Sequence, residues 1–498
     1  MDGVRRGEVN VLSGILSRSD PRPSVLPDGL RVLRSGSATQ GVLTTNEEFS
    51  AWLREREATD SMTVEQVPLD DMRGWHFSAG RAALVHDSGK FFSVGGVDVS
   101  RTGRGPRSWQ QPIIRQNEVG ILGLLAKEFG GVLHFLMQAK IEPGNRRQVQ
   151  LSPTVQATRS NYTKVHGGAS TPYLEHFLRP GRGRVLADVL QSEQGTWFLG
   201  KRNRNMVVET TDDVPVRDNF RWLTFGQIRQ LLTVPNMINM DSRTVLSCLP
   251  SDTSGWLFDP LAGNGDCADP EFAFDLQRSL QASEAEGRHT DAEIISWLND
   301  VRIDTAIELR PVGLAQLEDW ELSRSRIEHR KGKHFRVIGV SVASGQREVT
   351  QWAQPLIAPC DVGLVAFLTR RINGVLHILM RASVEAGFLD VAELGPTLQC
   401  NPATYADLPP QERPRFYDYV LAARDNIRYD VLLSEEGGRF YHAECRYLVL
   451  ECDAEPAVLE PHPDFRWMTV RQLMALLRHH NYVNVQARTL LACLHALW

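Results

Sequence analysis

Two polar stretches hold most of the residues that could do chemistry in this chain. The first runs Lys140-Ile-Glu142-Pro-Gly-Asn145, then Gln150-Leu-Ser-Pro-Thr-Val-Gln-Ala-Thr158 and Arg159-Ser160-Asn161-Tyr162. It is followed by Ser192-Glu-Gln-Gly195 and Lys201-Arg202-Asn-Arg-Asn205. The second has Ser383-Val-Glu385, Gly395-Pro-Thr-Leu-Gln399 and Ser434-Glu435-Glu-Gly-Gly-Arg439-Phe-Tyr441-His442. Ammonium and guanidinium donors such as Lys201 and Arg202 suit a diphosphate. A glutamate after a strand-like run and a Pro-Thr-x-Gln unit occur in both stretches. That unit reads either as a turn satisfying its own backbone or as a contact to a sugar or nucleotide. Other chemistries find little support. The chain has no Walker lysine loop, no GxGxxG after a strand, no HExxH and no GxSxG elbow.

The two stretches correspond because the chain is duplicated. Trp109-Gln-Gln-Pro-Ile-Ile114 returns as Trp352-Ala-Gln-Pro-Leu-Ile357, and Asn236-Met-Ile-Asn239 through Arg243-Thr-Val-Leu246 returns as Asn481-Tyr-Val-Asn484 through Arg488-Thr-Leu-Leu491. The expected organisation is an N-terminal mobile arm over 1–42, a first repeat over 43–249, a linker over 250–289 with one helix near Phe272 to Leu280, and a second repeat over 290–498. Each repeat should open on a helix carrying Trp52-Leu53 or Trp297-Leu298, entered through Thr44-Thr-Asn or through Thr290 or Asp291. A central hairpin turning at Gly130-Gly131 or Asn373-Gly374 follows. Each repeat should close with helices over 224–232 and 469–477 and then the Asn-x-x-Asn-x-x-x-Arg-Thr helix. Strands followed by terminal helices give an α+β fold. A net charge of -5 without long runs of one sign argues against nucleic-acid or membrane-surface binding. Seven cysteines without a CxxC pair, no apolar N-terminal segment and no spanning run point to a cytoplasmic protein with reduced thiols.

The motifs quoted above, with Ser434-Glu-Glu-Gly-Gly-Arg-Phe-Tyr441, resemble those of the NDP-hexose 2,3-dehydratases, and the resemblance covers residues from about 45 to 498. It implies tandem Nudix-like domains, a homodimer, the substrate dTDP-4-keto-6-deoxy-D-glucose, and a separate 3-ketoreductase that takes up the diketo product. The glutamate cluster with which Nudix hydrolases hold metal does not occur after the hairpin, which fits a reaction that leaves the diphosphate intact. The elimination is redox-neutral and calls for no cofactor.

Such a reaction needs a base for the C3 proton, a donor for the C4 oxygen, an acid for the C2 hydroxyl and a diphosphate clamp. The candidates form two rival sets, one in each copy. The first has Glu142 or Lys201 for proton transfer, Lys140 alternatively polarising the ketone, and Arg159, Ser160, Asn161, Tyr162, Ser192 and Arg202 for binding. The second has Glu435, Tyr441 or His442 for proton transfer, and Trp352, Gln399, Ser434 and Arg439 for binding. Trp109 and Trp352 either stack on the base or belong to the core. A Nudix-type nucleotide-sugar hydrolase and a non-catalytic dTDP-sugar-binding protein are the alternative functions.

Overall fold

A computed structural model describes residues 26–103, 107–158, 171–178, 183–251, 269–345, 350–452 and 462–497. Each repeat is built on a seven-stranded mixed sheet. In the first the order is Arg184–Ser192, Arg202–Glu209, Gly120–Phe129, Val132–Ile141 and Phe220–Thr224, with Val149–Ser152 and Val155–Ala157 added to the hairpin strands. The second repeats this order with Ile427–Ser434, Glu444–Glu451, Gly363–Ile372 and Val375–Val384, and Phe465–Thr469 again pairs with the second hairpin strand. The hairpins turn at Gly130-Gly131 and Asn373-Gly374, all four residues at positive φ, as a two-residue turn matched to strand twist requires. Residues 120–126 are buried without alternation because this strand is covered on both faces and pairs in parallel with Arg202–Glu209.

The opening helices Asn46–Thr59 and Asp291–Asp304 begin at capping boxes, Thr45 with Glu48 and Thr290 with Glu293. Trp52 and Trp297 are core residues of their repeats. The Asn-x-x-Asn-x-x-x-Arg motif also has a mechanical explanation. Asn236 and Asn481 take the left-handed backbone. Asn239 and Asn484 cap the following helices by accepting from the amides of Ser242 and Ala487 at 2.8 and 2.9 Å. Arg243 and Arg488 are driven fully into the interior.

Two smaller five-stranded antiparallel sheets join the repeats by exchanging strands. Met62–Val67 of the first repeat pairs with Phe335–Ser344 of the second, and Thr305–Val312 of the second pairs with Ser93–Gly103 of the first. The indoles of Trp75 and Trp320 reach across the same boundary, donating to the carbonyls of Ala353 at 2.7 Å and Gln110 at 2.8 Å. One apolar cluster between these sheets draws on both repeats, including Leu69, Trp75, Phe198, Trp320, Phe335 and Phe440.

The fold is thus mixed α and β in two repeated halves, with sheets predominating. The start of the chain departs from expectation. Asp28–Ser37, assigned to a mobile arm, is a helix whose Val32 and Ser35 are buried, and the Ser35 hydroxyl donates to the Leu133 carbonyl at 2.6 Å. A run rich in Arg, Ser and Gly concealed a short apolar contact face. The helix Pro270–Gln281 lies where one was expected between the repeats, and it buries Phe272 and Leu276 in the second core.

A candidate active site shared between the repeats

The chain leaves each hairpin through a loop that docks into the opposite repeat. The Gly144 amide donates to the Gly437 carbonyl at 2.8 Å, and the His442 amide donates to the Gly144 carbonyl at 2.7 Å. The reciprocal bonds run from Gly387 to the Gly195 carbonyl at 2.8 Å and from Gly200 to the Gly387 carbonyl at 2.9 Å. A β-carbon on Gly144 or Gly387 would lie 1.7 Å from the Phe440 or Phe198 carbonyl oxygen, so only glycine permits this approach. The division into one candidate set per copy is therefore corrected. The 140–145 loop and the 434–442 segment belong to one pocket, and the 383–388 loop and the 192–200 segment belong to the other.

The first pocket is charged. The Lys140 ammonium lies 3.2 Å from Glu142 Oε1, and Gln156 Nε2 donates to the same oxygen at 2.9 Å. Asn239 Nδ2 donates to Gln156 Oε1 at 3.4 Å, so the helix cap also orients the glutamine. Glu436, Arg439, Lys201 and Asp241 complete the group through mutual electrostatic coupling, and the charge of Glu193 reaches it from the neighbouring 192–200 segment. Burial pushes Glu193 up to about 7, the charge of Glu436 adds to this, and Arg488 and Lys201 oppose it. Burial likewise raises Glu436, against the pull of Arg439, and raises Asp241 well above the carboxylate range. It lowers Lys201, whose ammonium donates to the Glu118 carbonyl. Carboxyls this close together in a buried setting cannot all ionise at ordinary cost, which favours retention of a proton. Neither amide atom of Asn145 has a hydrogen-bond partner among the described residues, although Asn145 is only 8% exposed.

The equivalent pocket is largely neutral. Ser383, Phe388, Gln194, Trp197, Ala443 and Gln486 stand where the first has Lys140, Asn145, Glu436, Arg439, Lys201 and Asp241. Glu385, the counterpart of Glu142, is raised by burial, while Thr196 and Gln399 draw it back down. Phe388 packs so tightly on Gly195 that a β-carbon there would fall 2.6 Å from its ring, and Trp197 meets Phe440 edge-on at 4.4 Å.

Several sequence candidates serve as supports. Glu435, 3% exposed, accepts from the Tyr447 hydroxyl at 2.7 Å and from Gln194 Nε2 at 2.8 Å. Gln399 donates to Glu385 Oε1 at 3.1 Å and accepts from Asn484 at 2.9 Å, as Gln156 does in its own repeat. Thr154 and Thr397 each clip the two hairpin strands together. Pro-Thr-x-Gln is accordingly a scaffold unit whose glutamine aims a glutamate. Ser192 donates to Glu393 Oε2 at 2.6 Å and Ser434 to Gln150 Oε1 at 3.0 Å, both in the interior. Trp109 and Trp352 donate to Gln111 and Gln354. Arg439 donates to Gln116 at 3.2 Å and lies over the Phe92 ring at 4.3 Å. Tyr441 stacks on His442 at 4.0 Å, and Arg202 begins a strand, half-buried. Arg159, Ser160, Asn161 and Tyr162 lie outside the described residues. Glu193, Asp241 and Glu436 were missed. Two of them carried a signal, because Glu436 and Asp241 are charged where the other copy has Gln194 and Gln486.

Glu393 yields a test of the interior. Burial pushes it up to about 7, with the Ser192 hydroxyl opposing, so the folded state holds it as the neutral acid above the pH at which an unfolded glutamate ionises. Its contribution to stability is complete below about pH 4.5 and is lost as pH rises towards 7. Glu393→Gln, which installs the amide found at Gln150, is expected to leave stability at pH 4.5 nearly unchanged and to raise it by about 2–3 kcal/mol at pH 8. Urea denaturation at the two pH values checks this.

Comparison with known proteins agrees with the duplication. A family model described as NDP-hexose 2,3-dehydratase matches residues 46–249 and again 291–494. The chain is 47% identical to a dTDP-4-dehydro-6-deoxy-alpha-D-glucopyranose 2,3-dehydratase of Amycolatopsis orientalis, over 94% of this chain and 93% of the relative. A protein of that name from Saccharopolyspora spinosa is also 47% identical, with 93% of each chain covered. One from Streptomyces violaceoruber is 46% identical over 91% of this chain and 98% of its own.

Proposed function

The chain belongs to the NDP-hexose 2,3-dehydratase family, and we propose on that premise that it converts dTDP-4-keto-6-deoxy-D-glucose into a dTDP-3,4-diketo-2,6-dideoxyhexose, in the charged pocket between its repeats. The observation that carries the assignment to this pocket is the asymmetry of the pair. Proton-transfer groups and cations are concentrated in one pocket, while the other has Phe388 packed on Gly195 and Trp197 at the position of Arg439.

The C4 ketone acidifies the C3 hydrogen, so a base removes it as charge passes to the C4 oxygen. The C2–O bond then breaks, and the oxygen leaves as water with a proton from an acid. The resulting C2=C3 enol loses its hydroxyl proton and gains one at C2, which gives the 3-ketone. Glu142, oriented by Lys140 and Gln156, is placed to act as the base. Lys201 and Arg439 supply positive charge for the enolate or the diphosphate.

The finer reading includes two Nudix-like repeats over 43–249 and 290–498, a homodimer, a cytoplasmic setting and a 3-ketoreductase that consumes the diketo sugar. The two family matches, over residues 46–249 and 291–494, support this division into repeats. The decisive assay supplies the 4-keto sugar in deuterated water with a trapping 3-ketoreductase. Loss of the C2 oxygen and deuterium at C2 are expected. Metal-dependent release of a sugar phosphate would instead indicate a hydrolase, and dTDP-sugar binding without turnover a non-catalytic binder.

A further inference from the structure

Adjacent glutamates end the Ile427–Ser434 strand, and their surroundings differ. Glu435 is held by Tyr447 and Gln194, and its counterpart in the other repeat is also a glutamate, Glu193. Such a residue is needed to hold the segment whichever pocket it borders. The Glu436 carboxylate, by contrast, has charged neighbours but accepts no hydrogen bond among the described residues, and its counterpart is Gln194. It is an acid where the other repeat has an amide, on the side where the chemistry is placed.

The space in front of it is defined by Gly438. A β-carbon at that position would have two neighbours within 4 Å among the described residues, Glu436 Oε1 at 3.3 Å and Glu142 Oε1 at 3.4 Å. Both carboxyls therefore border one opening that the missing side chain leaves. Gly437 beside it places its hydrogen against Asn145 Oδ1, the unpartnered buried amide, which a β-carbon would approach to 1.9 Å. In the other repeat the position of Gly438 is taken by Thr196, which lies against Glu385. Two carboxyls at one opening, one braced by an ammonium and the other without a hydrogen-bonding partner among the described residues, form an unequal pair of the kind that divides base and acid between them.

We propose that Glu436, rather than Glu435, hands the proton to the departing C2 hydroxyl, with Glu142 as its partner base across the opening at Gly438; this rests on the reading given under Proposed function. In the balanced cycle, Glu142 takes the C3 proton while Glu436 gives its own to the C2 oxygen as the C2–O bond breaks and water leaves. The Glu436 carboxylate then accepts the enol hydroxyl proton, and Glu142, whose proton exchanges with solvent before it is delivered, protonates C2, which restores both groups.

The test compares wild type with Glu436→Gln in deuterated water, following dehydration and the entry of deuterium at C3 of recovered 4-keto sugar. Because glutamine already stands at the equivalent position, the variant is expected to fold and to bind dTDP as wild type does. Its kcat should fall about 100-fold or more, the usual weight of a general acid, while C3 exchange persists because Glu142 is intact. Turnover within threefold of wild type, or loss of exchange together with turnover, overturns the assignment. The wild-type pH profile reads the same group without a variant. Turnover should decline at high pH as Glu436 loses its proton while C3 exchange is maintained, and a parallel decline of both counts against it. Wild-type protein that neither dehydrates nor exchanges the sugar overturns the underlying function instead.

Discussion

Gly438→Thr is expected to lower turnover by at least about 100-fold while leaving the fold intact, because it gives the charged pocket the side chain its neutral counterpart already has. The backbone at Gly438 is not in the left-handed region, so threonine meets no conformational barrier. Its β-carbon would arrive 3.3 and 3.4 Å from the Glu436 and Glu142 carboxyl oxygens, and its hydroxyl and methyl would occupy the opening between them. Displacing a reacting group by about an ångström is enough for a loss of this size. The measurements are steady-state kcat on the 4-keto sugar and thermal unfolding. Near-normal turnover in a folded variant would move the chemistry elsewhere. Gly438→Ala, with a smaller intrusion, should fall between the two.

The second large effect is on stability. Arg488 is 0% exposed and donates to Thr244 Oγ1 at 2.8 Å, to the Val483 carbonyl at 2.6 Å and to the Ser192 carbonyl at 2.6 Å. Two of these acceptors belong to the opposite repeat, and Ser192 immediately precedes Glu193. Burial works against the charge, with Glu193 and Glu393 compensating. Arg488→Ala removes the cation, strands the acceptors and leaves a void, and is expected to cost about 3–5 kcal/mol. Chemical denaturation at pH 7 checks it. Arg488→Lys should recover little, since a single ammonium cannot reproduce the guanidinium fork. Arg243, which reaches the Ser434 carbonyl from the other side, should behave similarly.

The local signals in the sequence were strong, and the long-range ones were weak. The hairpins were legible because Gly130-Gly131 and Asn373-Gly374 sit between apolar runs, and the opening helices because Thr45 and Thr290 begin capping boxes. The exchange of Met62–Val67 and Thr305–Val312 was not legible, because an alternating pattern says which face of a strand is buried and not which sheet receives it. That omission concealed the shared pockets and made Glu142 and Arg439 look like members of rival sites. Lys140 and Lys201 stood out because the second copy lacks them. Applied consistently, the same comparison would have singled out Glu436 over Glu435. The depth of Arg243 and Arg488 was also hidden, since an arginine within a helical motif ordinarily reads as solvent-facing.

The reciprocal strand exchange has a consequence for what substitution can achieve. Were these halves two identical molecules bound as a pair, every amino-acid change would be made twice, and a threonine that plugged one cleft would plug both. Written into a single polypeptide, the same architecture gives each cleft its own address. One can carry Phe388 and Thr196 to brace the assembly while its twin keeps the bare Gly438 between two carboxyls, a division of labour closed to any perfectly symmetric partnership.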